Sequence, residues 1–324
     1  MKDFVRRNLP LVGLILVIIL FAVFLTTKQR LFLTPGTLSD MFKYYSPMAL
    51  LALGMTFVIL TGGIDLSVGF VMMLIMFVMA GFLRDHPGGS PIVAVLLGFL
   101  AAVGVGGTLG GLVAYAQIPA FIASLAVMVA AYGATMIISH NESINNLPAS
   151  ILWLGGADFP FLGDRFPVMT LFIIAAFVKA AIILGKTTFG RHLYAIGSNR
   201  EAARLSGINV PRTEALAYVY CSICCWGAAL MQMGINRTAD PKVATSDSLE
   251  LNAIAIVVIG GTSLAGGRGR VAGTALGALL LALVFYGLPL IGISEPSYKK
   301  LIQAGIILVG AILDAVQRKL SKVT

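Results

Sequence analysis

The chain is written in apolar blocks about 17 to 26 residues long, and the short polar joints between them carry most of its charge. An α-helix rises about 1.5 Å per residue and the hydrocarbon core of a bilayer is roughly 30 Å thick, so stretches such as Leu9 to Thr26 and Pro91 to Ala116 are long enough to span it. Ten stretches of this kind can be marked, roughly 8–26, 45–61, 68–84, 91–116, 121–139, 167–185, 213–235, 251–265, 271–292 and 299–317. The expectation is an all-α polytopic membrane protein with about ten transmembrane helices, forming a single transmembrane domain over residues 1–324. The basic start at Lys2, Arg6 and Arg7 resembles a signal peptide. The apolar run behind it is too long and no small-residue cleavage site follows cleanly, so it is read as a retained first span.

With 58% hydrophobic against 11% charged residues, there is too little polar surface to keep a chain of 324 residues in water. The net charge of +9 would point to nucleic acid in a soluble protein. Here the basic residues sit in inter-helix joints, where they orient the chain and meet anionic lipid headgroups, and nucleic acid is not an expected partner. With the amino terminus inside, thirteen basic residues fall on the cytoplasmic side and nine outside, and Lys179 lies within a span. The bias is concentrated in the joint from Lys186 to Arg212. An even number of spans returns the carboxy terminus to the cytoplasm.

Residues Gly54 to Gly69 form an apolar run broken by Gly62, Gly63 and one carboxylate, Asp65. Paired glycines let the backbone take conformations closed to other residues, and Asp65 or Ser67 can accept from the free N–H groups that open the next helix. Two readings stay open: a tight capped turn between spans, or unwound backbone lining a polar cavity or gate. A later run, Ile256 to Gly267, echoes it, with Gly62, Gly63, Leu66 and Gly69 aligning with Gly260, Gly261, Leu264 and Gly267, and Ser263 in place of Asp65. Both copies end an outside-to-inside span in this topology. The translocation-path candidates are therefore Gly62, Gly63, Asp65, Ser67, Asn252, Gly260 and Gly261. Thr61, Ser124, Tyr132, Gln232 and Asn236 are further polar candidates to meet a solute, and Phe57, Phe70 and Phe121 are candidate aromatic faces.

The joint between the sixth and seventh spans predicts a short helix outside the membrane. Ser198 or Asn199 makes a good N-cap, Arg200 to Leu205 favour helix, and Gly207 makes a good stop. Gly185-Lys186-Thr187 matches the end of a phosphate-binding loop, but Ala180 stands where that loop requires a further glycine. The three histidines fall in joints and no nucleophile, base and acid come together, so no enzyme is expected. Cys221, Cys224 and Cys225 share one face of an apolar helix without a histidine or carboxylate and read as packing residues, and no metal site is expected.

The segment Gly62 to Gly69, Gly190-Arg191, Ala195 to Asn199, Glu201 to Ala203, Ser206 to Ile208 and Val258 to Thr262 together resemble the membrane permease subunits of ribose-type ATP-binding-cassette importers, in the branched-chain amino acid/ribose permease superfamily. The resemblance covers nearly the whole chain. It implies that Gly197, Asn199, Glu201, Ala202, Ala203, Leu205 and Gly207 belong to a coupling helix seated in a groove of a separate ATPase. It also implies ATP and magnesium on that partner and no cofactor on this chain, a periplasmic sugar-binding protein, and a second permease subunit, identical or different. The location would be the bacterial inner membrane with both termini cytoplasmic. A self-contained secondary transporter for a small polar solute is the alternative; such a protein usually carries an intramembrane carboxylate or histidine relay, for which Asp65 is almost the sole candidate.

Overall fold

A computed structural model of the chain describes residues 34–161 and 163–321. The expected span at 8–26 lies outside them. Seven of the described helices are long and apolar enough to cross a membrane. They are α1 (Pro35–Leu60), α2 (Val68–Asp85), α3 (Pro91–Ala114), α4 (Ala120–Ser139), α6 (Met169–Lys186), α9 (Val210–Asn236) and α12 (Val271–Leu290). The helix α13 (Pro296–Ser321) covers the last expected stretch. Shorter helices complete the set: α5 (Ala149–Gly156), α7 (Thr188–Ser198), α8 (Arg200–Leu205), α10 (Val243–Asp247) and α11 (Leu249–Ile259).

Burial separates the spans into a centre and a shell. In the apolar stretch of α1 78% of residues are buried and in α9 67%, against 22% in α4 and 28% in α3 and α6. An apolar residue facing lipid loses nothing, so the shell helices need no polar outer face, whereas the central pair needs close fitting. Small residues provide it. Gly106 and Gly110 of α3 press on the α9 backbone, where a Cβ on Gly110 would lie 2.7 Å from the Ala215 carbonyl oxygen. Cys221 and Cys224 are buried where α9 crosses α1, each 3.0 Å from where a Cβ on Gly54 would stand.

Two features depart from the sequence expectation. The apolar run at 251–265 is a helix of only 11 residues, α11, because Gly260 and Gly261 end it; at about 1.5 Å per residue it covers roughly half a bilayer core. The joint between α4 and α6 holds an antiparallel hairpin, β1 (Asp158–Phe161) and β2 (Asp164–Pro167), with Phe159 paired to Phe166 and Phe161 to Asp164. The first turn of α1 is tied to it, since the Ser39 hydroxyl donates to the Arg165 carbonyl at 2.5 Å. At this same end Ile144 bridges to Ala239. The opposite end carries α7, α8 and both glycine breaks.

Candidate functional site

Both glycine breaks close their helices with the same hydrogen-bond pattern. At the end of α1, Gly62 N–H donates to Ile59 O at 2.9 Å and Gly63 N–H to Val58 O at 3.2 Å. At the end of α11, Gly261 N–H donates to Val258 O at 2.9 Å and Thr262 N–H to Val257 O at 3.1 Å. This is the paired turn that satisfies a helix's last carbonyls when the residue after the cap is left-handed. The left-handed residues are Gly62, at φ 85°, and Gly261, at φ 84°. The sequence alignment of Gly62 with Gly260 is thus one residue out in conformation. Gly260 is a right-handed cap, φ −62°, that corresponds to Thr61 at φ −82°. Its lack of a side chain serves packing, because a Cβ there would lie 2.5 Å from the Gly273 carbonyl oxygen of α12.

After each turn a side chain organises the chain again. The Asp65 carboxylate accepts from Ser67 N–H at 2.8 Å and from the Ser67 hydroxyl at 2.6 Å, and Ser67 stands at the N-cap of α2. Ser263 Oγ accepts from Ala265 N–H at 3.3 Å. Gly62 is exposed while Asp65 and Ser67 are buried, so the segment runs inward from the protein surface before α2 begins. Gly63 lies directly under the Tyr218 hydroxyl of α9, which is itself buried and, among the described residues, without a hydrogen-bond partner. Gly69 in turn meets Leu249 and Glu250 at the start of α11.

The structure joins these breaks to α7. Gly267 N–H donates to Leu60 O at 2.9 Å, which binds the loop after α11 to the end of α1. Gly197, in the last turn of α7, is wedged onto that bond: a Cβ there would collide with the Leu60 carbonyl oxygen and the Gly267 nitrogen. Gly266, at φ 85°, packs against Gly62 and Gly197. The Tyr194 hydroxyl, one turn earlier on α7, donates to Gly269 O at 3.0 Å, and burial pushes its phenol above the ordinary value. Four glycines thus bring three backbones into contact. The sequence reading places Gly197 in one candidate site and Gly62 in the other.

The short helix α8 forms as the caps require. Asn199 Oδ1 accepts from Ala202 N–H at 3.0 Å, and Gly207, at φ 83°, follows the last turn. Arg200 donates to Glu214 at the foot of α9, 2.8 Å away, and Glu214 is buried. Glu201 and Arg204 pair at 2.5 Å on the exposed face, and the guanidinium hydrogen bond holds the Glu201 carboxyl below its ordinary range. Of the two alanines placed in the coupling helix from the sequence, the structure exposes one and buries the other. Ala202 and Leu205 are exposed, Leu205 at 76%, but Ala203 is buried against Ile196 and Val210 of this same chain.

At the opposite end, between α1, α9, α11 and α13, lies a cavity of about 470 Å³. Gln232, Asn236 and Asn252, named from the sequence, line it. The sequence reading missed Gln303 of α13, which is buried in the cavity wall, its Nε2 unpartnered among the described residues. A lone glutamine in the apolar run of α13 was the available signal. The other polar candidates lie elsewhere: the Thr61 hydroxyl bonds to Val58 O at 2.7 Å, Ser124 to Phe121 O at 3.2 Å, and Tyr132 meets the Phe70 edge at 6.0 Å. Phe57 is buried against Tyr220, ring centres 4.0 Å apart, and Phe121 is exposed.

A profile of the family described as "Branched-chain amino acid transport system / permease component" matches residues 37–311. The chain belongs to that family. It is 36% identical over 305 residues to the ribose import permease protein RbsC of Bacillus subtilis, covering 94% of this chain and 91% of that protein. It is 37% identical over 305 residues to the RbsC protein of Escherichia coli, covering 93% and 92%. It is 31% identical over 316 residues to the fructose import permease protein FrcC of Rhizobium meliloti, covering 96% and 86%. No solved structure matches it. The family and the seven apolar helices make this a multi-pass membrane permease.

Proposed function

We infer that the chain is the membrane-spanning subunit of an ATP-driven importer that moves a monosaccharide, pentose or hexose, from the periplasm to the cytoplasm across the bacterial inner membrane. The observation that carries this reading is the seat of Gly197 on the Leu60 to Gly267 hydrogen bond. Backbone packed on backbone transmits displacement, because it has no side chain to rotate out of the way. A push on α8 therefore reaches the ends of α1 and α11 together. Glu214 bound to Arg200 passes the same push to α9. The names of the relatives supply the substrate class.

In this reading a cytoplasmic ATPase carries ATP and magnesium and receives α8, with Ala202 and Leu205 as the apolar contact and Gly207 ending it. A periplasmic binding protein delivers the sugar at the hairpin end, and a second permease subunit completes the pair. Both termini are cytoplasmic. A secondary transporter would leave the exposed Leu205 and the glycine seat without a task.

The test is to purify the full complex carrying Ala202→Trp or Leu205→Asp and to measure ATPase association, binding-protein-stimulated hydrolysis and sugar uptake. A bulky or charged group on a close-packed apolar contact should lower all three by about tenfold or more, at unchanged membrane abundance. Wild-type values in both variants would refute α8 as the coupling element.

A further inference from the structure

The cavity at the hairpin end has a chemistry of its own, distinct from the glycine seat. Four carboxamides converge on it from three helices: Gln232 and Asn236 from α9, Asn252 from α11 and Gln303 from α13. A carboxamide presents donors and an acceptor without charge, which matches a hydroxyl that both donates and accepts. Tyr44 of α1 and Phe285 of α12 add aromatic surface, suited to an apolar C–H face. Its volume of about 470 Å³ lies within the roughly 300–1,000 Å³ typical of small-molecule sites. Gln303 is 7% exposed, yet among the described residues its Nε2 has no hydrogen-bond partner. Folded proteins rarely leave a buried donor unpaired, so one carried by a cavity-lining side chain points to a ligand.

Charge is confined to Asp240, Lys299 and Lys300, on the loop after α9 and the first turn of α13, with Lys300 exposed. Leu51, Met72 and Leu249 are buried and form an apolar floor on the side facing the glycine breaks. Leu249 also touches Gly69, so the floor is attached to the first turn of α2, just beyond Asp65.

We propose that this cavity is a sugar-holding chamber of the permease itself, in which Gln303, Asn252, Gln232 and Asn236 grip the hydroxyls of a neutral monosaccharide above a Leu51, Met72 and Leu249 plug. The proposal rests on the reading of the chain as a sugar importer subunit and deepens it. It places selectivity for uncharged polyols in the membrane, in addition to any selectivity of the delivering protein.

The complex of permease, ATPase and binding protein is reconstituted in liposomes and offered D-ribose, D-fructose and ribose 5-phosphate. Gln303→Leu keeps the side-chain bulk and removes its donors. Its uptake of the neutral sugar should fall about tenfold or more while binding-protein-stimulated ATP hydrolysis stays within about twofold of wild type. Gln303→Cys, in a background with Cys221, Cys224 and Cys225 replaced by alanine, should react with an impermeant thiol reagent from the hairpin side. The imported neutral sugar should protect it and ribose 5-phosphate should not. Unchanged uptake in Gln303→Leu overturns the chamber, as does equal loss of uptake and hydrolysis, which marks a structural residue. Equal protection by the phosphate, or no protection by the imported sugar, overturns it as well. Should the wild-type complex import neither neutral sugar, the importer reading itself fails at that first step, before any variant is measured.

Discussion

The ends of α1 and α11 reach one turn geometry by different use of glycine. At α1 the right-handed cap is Thr61 and the left-handed residue is Gly62; at α11 both positions are glycine, and Gly260 is there because α12 crosses it. The continuations differ more. After α1 the chain runs into the protein interior and a buried carboxylate starts the next helix. After α11 a serine makes one longer bond in a loop that stays near Gly197. The first break is built to carry polar backbone at depth, where an unpaired N–H is costly, and the second to bring two helices and a loop together.

What both breaks share is Gly197, so the substitution there should have the largest effect. Gly197→Ala drives a methyl into the Leu60 carbonyl and the Gly267 amide, both backbone, and neither can rotate away. Overpacking of this kind costs about 3 kcal/mol at the upper end of its usual range. Membrane abundance, the melting temperature of the detergent-purified protein and uptake should all drop. A variant with normal stability and normal uptake would show that α7 and the two breaks move independently.

The next effect separates the breaks from each other. Gly62→Ala meets only the Ala265 carbonyl at 3.5 Å, an ordinary contact, so its penalty of about 1–2 kcal/mol is conformational. Asparagine tolerates the left-handed region, so Gly62→Asn should recover part of it. At Gly260 the order reverses. The backbone there is already right-handed and the obstacle is the Gly273 carbonyl, so Gly260→Asn should be no better than Gly260→Ala, each about 2 kcal/mol down. Melting temperatures of the four variants decide it: rescue by asparagine at both positions would erase the distinction.

Much of this was legible because length and apolarity are local properties. The spans follow from uninterrupted apolar runs, and α8 follows from Asn199 and Gly207, whose capping roles depend only on neighbours in sequence. The assignment of φ between Gly260 and Gly261 was not legible, since adjacent glycines are equivalent until α12 is placed against one of them. The inward face of Ala203 was hidden for the same reason: Ile196 and Val210 close over it only once α7 and α9 are docked. The hairpin at Asp158 to Pro167 was read as a plain joint, because its phenylalanines and prolines give too short a pattern on either side of Gly163. Gln303 looks like any isolated polar residue in an apolar helix until the opposite wall of the cavity is known.

The side chains that follow the turns give the last comparison. Asp65 accepts two bonds at one oxygen, from Ser67 N–H and Ser67 Oγ, and both donors are buried. Removing the acceptor leaves them unpaired, so Asp65→Ala should lose about 1–3 kcal/mol and lower uptake at matched membrane abundance. Asp65→Asn keeps a carbonyl oxygen in the same place and removes only the charge, whose burial is unfavourable in itself; its stability should exceed that of Asp65→Ala by most of that amount. The Ser263 hydroxyl accepts from Ala265 N–H at 3.3 Å, a long bond, so Ser263→Ala should cost less than about 1 kcal/mol. The comparison therefore predicts an order of Asp65→Ala, then Ser263→Ala, then Asp65→Asn, from most to least disturbed in melting temperature. If Asp65→Asn is as damaged as Asp65→Ala, the ionised carboxylate matters beyond its hydrogen bonds, and the first break acts on charge and not only on backbone geometry. If Ser263→Ala matches Asp65→Ala, depth does not distinguish the two turns, and the contrast between them reduces to which glycine α12 happens to cross.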